Sequence, residues 1–141
     1  MNNLLIFGVG LIGGSIAIEC QKKQMFNHVV GVQREGGTSL SPFVSNGMID
    51  RVSDNLSDDI KQADFIVIAT PVAQIRNILT TISRSLSPKT IVIDVGSTKS
   101  NVMRFAREEL KEKFPQFVGS HPIAGSEQHG PAAAKINLFK N

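Results

Sequence analysis

A continuous apolar run, LLIFGV at residues 4–9, leads straight into glycines at Gly8, Gly10 and Gly13, in the spacing G-x-G-x-x-G. No polar residue alternates within the run, as expected of a strand covered on both faces of a parallel sheet. Behind the glycines, Ile12, Ile16, Ala17 and Cys20 recur at helical spacing until Lys22, Lys23 and Gln24 close the segment. In a strand, turn and helix of this kind each glycine has a physical role. Gly8 makes the tight turn, Gly10 lets the backbone approach a pyrophosphate, and Gly13 lets the helix pack close to the strand. The helix opening at Leu11 and Ile12 offers free N–H groups and a partial positive charge to phosphates. Glycine-rich turns also serve plain packing, and Gly14 needs no more than that.

The same alternation continues along the chain. HVVGVQ (28–33) is strand-like, and a loop and a short helix over residues 42–46 follow. DFIVIAT (64–70) is the clearest strand, and residues 72–86 place Ile75, Ile78, Leu79 and Ile82 on one helical face. TIVIDV (90–95) is a further strand. Residues 97–114 predict a helix with Ser97 as N-cap and Val102, Phe105, Ala106 and Leu110 on one side, before a short strand QFVG at 116–119. Strands alternating with helices imply βαβ units, right-handed crossovers and an α/β fold with a doubly wound parallel sheet of Rossmann type. The 141 residues suffice for one domain. Residues 1–141 are therefore expected to form a single dinucleotide-binding domain, truncated at its C-terminal end, because the tail stops without a closing helix or strand.

Composition narrows the partners. With 41% hydrophobic and 19% charged residues and no apolar run of about 20 residues, the chain reads as a soluble protein with no membrane span. It has no basic leader, and its cytoplasmic localisation is an expectation from that. The lone Cys20 excludes an internal disulfide and a cysteine-based metal cage, and no metal site is expected; Cys20 itself reads as core. A net charge of +3, scattered cations and the lack of Trp and Tyr argue against a nucleic-acid partner and leave a small-molecule substrate.

Ligands of doubly wound sheets bind beyond the carboxyl ends of the strands. There, about 20 residues past Gly13, an acid usually meets the ribose of NAD, but this sequence has Gln33 and Arg34. Arg34 can pair bidentately with a 2′-phosphate, which favours NADP as cofactor, while Glu35 keeps NAD possible and a solvated loop cation is the plainer reading of Arg34. Thr70 and Pro71 end the third clear strand; Pro71 presets the next helix and, functionally, adds a wall under a nicotinamide. Ser97 is a helix cap or a hydroxyl within reach of His121. Lys99, in a first helical turn, opposes the macrodipole and hints at an anionic neighbour, unless it is simply solvated. His121 precedes Pro122 in GSHPIAGSEQHG (119–130) and is the best candidate base, since imidazole titrates near neutral pH, although loop histidines are more often structural or exposed. His28 reads as a strand opener and His129 as an exposed turn residue.

GVGLIGGSIA, IATPV, IDVGSTKSNV and GSHPIAGSEQHGPAAA, in this order, resemble the nucleotide-binding half of the prephenate and arogenate dehydrogenases of tyrosine biosynthesis, over nearly the whole chain. The resemblance implies an NAD(P)-dependent oxidoreductase that passes hydride from C4 of prephenate to the nicotinamide as carbon dioxide leaves and 4-hydroxyphenylpyruvate forms. By motif, His121 resembles the histidine that deprotonates the C4 hydroxyl, Ser97 its hydroxyl partner and Glu127 the acid at the pocket entrance. Gly8, Gly10, Leu11, Ile12, Gly13, Gln33, Arg34, Thr70 and Pro71 are the expected cofactor-binding set. The family continues into a helical second domain, which supplies the homodimer contact and the basic substrate-gripping residues; the resemblance implies that this chain lacks it and turns over poorly alone. Alternatives are an arogenate dehydrogenase, a β-hydroxyacid dehydrogenase, disfavoured for want of the HPIAGSE motif, and a non-catalytic NAD(P)-binding module.

Overall fold

The computed structural model describes residues 1–123 and 130–139. The apolar run forms β1 (Asn3–Phe7), which stops at Gly8, where φ is +87°. α1 (Leu11–Lys22) follows, then β2 (His28–Val32), which His28 opens with an exposed side chain, and the short α2 (Ser41–Ser45). Next come β3 (Arg51–Val52) and α3 (Leu56–Gln62), neither of which the sequence pattern announces. β4 (Phe65–Ile68), α4 (Val72–Ser85), β5 (Ile91–Asp94), α5 (Lys99–Leu110) and β6 (Phe117–Gly119) complete the alternation.

All pairings are parallel, and the strand order is β3-β2-β1-β4-β5-β6. This is the doubly wound order in which the chain reverses direction across the sheet between β1 and β4. Side chains alternate across the sheet, so Leu4 and Ile6 enter one core with Ala17 and Cys20 of α1, while Leu5 and Phe7 enter the other with Ile60, Ile75, Leu79, Val102 and Ala106. Each face of β1 is covered, which explains why the run carries no polar residue. Cys20 lies in the core as expected, and burial pushes its thiol pKa up. The face of α4 settles on Ile75, Leu79 and Ile82, each fully buried and worth about 1.5–3 kcal/mol.

The predicted helix over 97–114 is shorter at both ends. Thr98, not Ser97, occupies the N-cap, with no side-chain capping bond. At the far end Lys111 takes φ +52°, and the chain tightens into a 3-10 turn over Lys111–Gln116 that contains Pro115. Among the described residues no helix is long and apolar enough to cross a membrane.

Candidate functional site: a crevice at the sheet reversal

Because β1 and β4 are adjacent and their following helices depart to opposite faces, their carboxyl ends leave a crevice between them. The turn at Gly8 and the segment at Ala69, Thr70 and Pro71 line a cleft of about 390 Å³ there. A second cleft of about 240 Å³ adjoins it beneath Arg34, reaching Leu56 and Ile78. Gly130 and Pro131 also line the larger cleft.

Each glycine of the turn has a separate geometric reason. A Cβ on Gly8 would meet the Ala69 carbonyl oxygen at 2.5 Å, and one on Gly13 would meet the Gly8 carbonyl oxygen at 2.1 Å. A Cβ on Gly10 would meet nothing within 4 Å, so its bare face opens on the cleft. A Cβ on Gly14 would come 2.8 Å from that of Ala134, which makes Gly14 a packing position. Among the described residues, the N–H groups of Leu11, Ile12 and Gly13 have no backbone partner, while Gly14 N–H donates to Gly10 at 2.8 Å. Thr70 Oγ1 is buried with no hydrogen-bond partner among those residues. A bare backbone at Gly10, free helix N–H groups and an orphaned hydroxyl fit the diphosphate and sugar of a dinucleotide. Pro71 stands at the N-cap of α4, one residue before the first helical position.

Gln33 and Arg34 meet different fates. Gln33 Nε2 donates to the carbonyls of Arg34 and Thr38 at 3.1 and 2.8 Å, and its Oε1 accepts from Leu40 N–H at 2.8 Å. Its polar atoms are spent on shaping the loop after β2. Arg34 is exposed on the rim of both clefts, and a Cβ on Gly37 would come 3.1 Å from the Arg34 carbonyl oxygen, so that glycine fits the tight turn of this loop.

The remaining candidates stand at the carboxyl ends of β5 and β6. Ser97 and His121 are both exposed, and no hydrogen bond joins them. Glu127 and His129 lie outside the described residues. Lys99 does have an anionic neighbour, and it is internal: Nζ pairs with Asp94, whose carboxylate is fully buried at the end of β5. Asp94 also accepts from Gly96 N–H at 2.9 Å and Ser120 N–H at 3.2 Å. Sequence reasoning passed over Asp94; the available signal was a lone acid following the apolar run at 91–93 within TIVIDV. It also passed over the segment 131–137, which binds α1 through Lys135 N–H to Ser15 Oγ at 2.8 Å and Asn137 N–H to Glu19 Oε1 at 2.7 Å. No pattern signals that contact.

The sheet order, the glycine turn and the crevice together define a nucleotide-binding α/β domain. Residues 16–141 match the family model of the prephenate dehydrogenase nucleotide-binding domain, and the chain belongs to that family. It is 37% identical over 141 residues to prephenate dehydrogenase of Bacillus subtilis (strain 168), a match covering 99% of this chain and 38% of that protein. Against prephenate dehydrogenase of Lactococcus lactis subsp. cremoris the identity is 34%, covering 100% of the chain and 39% of the relative. The crystal structure of prephenate dehydrogenase from A. aeolicus in complex with hydroxyphenyl propionate and NAD+ superposes with a TM-score of 0.86 at 31% identity, covering 100% of this chain and 48% of that one. Synechocystis arogenate dehydrogenase gives 0.80 at 29%, covering 97% and 46%. The chain thus spans less than half the length of these relatives.

Proposed function

We propose that the chain is the cofactor-binding part of an NADP-linked prephenate dehydrogenase, which oxidatively decarboxylates prephenate to 4-hydroxyphenylpyruvate. The observation that carries this reading is the placement of the glycine turn and His121 along one edge of one sheet, in a chain 37% identical to a prephenate dehydrogenase. β6 lies three strand positions from β1, about 14 Å at the usual spacing, so a ligand extended along that edge meets both.

Gly8, Gly10, Gly13 and the N–H groups of Leu11 and Ile12 hold the diphosphate; Thr70 supplies its unpaired hydroxyl and Pro71 a wall. Arg34 pairs with the 2′-phosphate of NADP, on a loop that Gln33 shapes. A bound nicotinamide dinucleotide supplies the hydride acceptor. His121 accepts the proton of the substrate's C4 hydroxyl as the hydride leaves that carbon, which loss of carbon dioxide makes irreversible by aromatising the ring. Ser97 orients the hydroxyl, and Glu127 is the acid at the pocket entrance. The similarity to Synechocystis arogenate dehydrogenase supports arogenate as the second reading.

The test is the complete protein assayed with prephenate and with arogenate, each with NADP+ and NAD+. Turnover of prephenate with NADP+ is expected to be fastest, and His121→Asn is expected to lower kcat by about a hundredfold or more. Full turnover in that variant would remove His121 from the chemistry, and inactivity towards both substrates would remove the assignment.

A further inference from the structure

We propose that Asp94 is a positioning residue that locks the Ser97 loop and the His121 loop to one another, with Lys99 as its counterion. The inference rests on the roles proposed above for Ser97 and His121. Asp94 closes β5 with its carboxylate fully buried. Oδ2 accepts from Gly96 N–H at 2.9 Å and from Lys99 Nζ, which fixes both flanks of Ser97. Oδ1 accepts from Ser120 N–H at 3.2 Å, which fixes the residue before His121. One carboxylate therefore ties two loops from adjacent strands, each bearing a candidate catalytic side chain.

The neighbouring glycines are shaped to this pair. A Cβ on Gly96 would lie 3.1 Å from Asp94 Oδ2, and one on Gly119 would lie 3.3 Å from Lys99 Cδ and 2.8 Å from Met103 Sδ. Lys99 thus lies close over the end of β6 on its way to Asp94. This buried carboxylate reaches across strands to the backbone that presents His121. A hydrogen bond to an ionised carboxylate is stronger than a neutral one, so a single buried group holds both backbone segments while the Ser97 and His121 side chains themselves are exposed.

The experiment has two arms. In the 141-residue chain, Asp94→Asn is expected to speed amide hydrogen exchange at Gly96 and Ser120, followed by NMR. In the complete protein, the same change is expected to lower kcat by about tenfold or more through misplacement of the reacting groups. The dinucleotide Kd is expected to stay within about twofold, because among the described residues Asp94 makes no hydrogen bond or ion pair to the glycine turn. Lys99→Arg is expected to retain most of kcat, while Lys99→Gln follows Asp94→Asn and reports on the clamp should the aspartate variant not fold. Unchanged exchange at both amides overturns the clamp. Looser amides with kcat unchanged, or lowered only as far as the folded fraction, overturn the positioning role. If the wild type oxidises neither prephenate nor arogenate, the proposed function fails; the clamp then stands or falls on the amide exchange alone.

Discussion

The Cβ that Gly13 lacks would stand 2.1 Å from the carbonyl oxygen of Gly8, so the third glycine of the turn is dictated by the first. That oxygen is backbone and cannot swing aside. Gly13→Ala is therefore expected to cost about 3 kcal/mol of stability through a forced shift of α1. Gly10→Ala separates folding from binding: its φ of −108° suits any residue, and a methyl there meets nothing within 4 Å. Its stability is expected to stay within about 0.5 kcal/mol of wild type, while nucleotide affinity falls about tenfold because the methyl fills the space of the diphosphate. Urea unfolding and a fluorescence titration with NADPH check both; equal binding by the Gly10 variant would displace the diphosphate from this turn.

Thr70 Oγ1 is a buried hydroxyl without a partner among the described residues. Such a group costs about 1–3 kcal/mol, so Thr70→Val is expected to stabilise the free chain by about 1 kcal/mol, or about 4 °C in Tm. The same change is expected to weaken nucleotide binding about fivefold, since the lost hydroxyl is the one the ligand would satisfy. A variant that is more stable and binds as well as wild type would show that the hydroxyl faces no ligand group.

The long, continuously apolar elements were legible because burial on both faces writes itself into every position, as in β1 and β4. β3 and α3 were not. β3 is two residues long, below any period, and α3 shows only Leu56 and Ile60 as an apolar i,i+4 pair. A polar signal was nonetheless present: Asn55 caps α3 by accepting from Asp58 N–H at 3.2 Å, and Asp58 and Asp59 sit in its first turn. In the crevice, the glycines, Thr70 and Pro71 were legible from strand ends alone. Gln33 lines the same cleft, but the bonds that hold its amide within its own loop leave no mark in the sequence pattern. Asp94 escaped for a similar reason: its partners, Gly96, Lys99 and Ser120, converge only once β5 and β6 are paired.

The proposed cofactor preference rests on Arg34, and Gln33 only shapes the loop that carries it. Arg34→Ala is expected to weaken NADPH by about tenfold or more, the value of a charge-assisted pair, and to leave NADH unchanged. Gln33→Ala is expected to weaken both dinucleotides by a smaller factor, since it loosens the loop without removing a charge. Titration of both dinucleotides against the two variants measures this. Tighter binding of NADH than NADPH by the wild type, with no response to Arg34→Ala, would return the loop to NAD and make the arginine a solvated cation.

Asp64, at the foot of β4, ties the chain's first residues to the sheet: its Oδ2 accepts from Asn3 N–H at 3.0 Å and Asn2 N–H at 2.6 Å. Those two bonds hold its pKa below the usual carboxylate range. Glu109 is lowered by Thr80 and Arg76. In Asp59 burial pushes upward, but the bonds from Arg51 and Ser53 outweigh it and the net shift is downward. A carboxyl whose folded pKa lies below its unfolded value binds fewer protons when folded. Its stabilisation is complete above the unfolded value of about 4 and is lost as pH falls through the folded one. Stability is therefore expected to fall on acidification from about pH 5 to about pH 3. Asp64→Asn should be less stable than wild type at neutral pH and converge with it in acid, because the amide oxygen still accepts both bonds but carries no titrating charge. Urea midpoints at neutral, mildly acidic and strongly acidic pH read the difference directly. A gap between wild type and variant that stays constant across that range would mean that the Asp64 contribution comes from geometry alone and not from its ionisation.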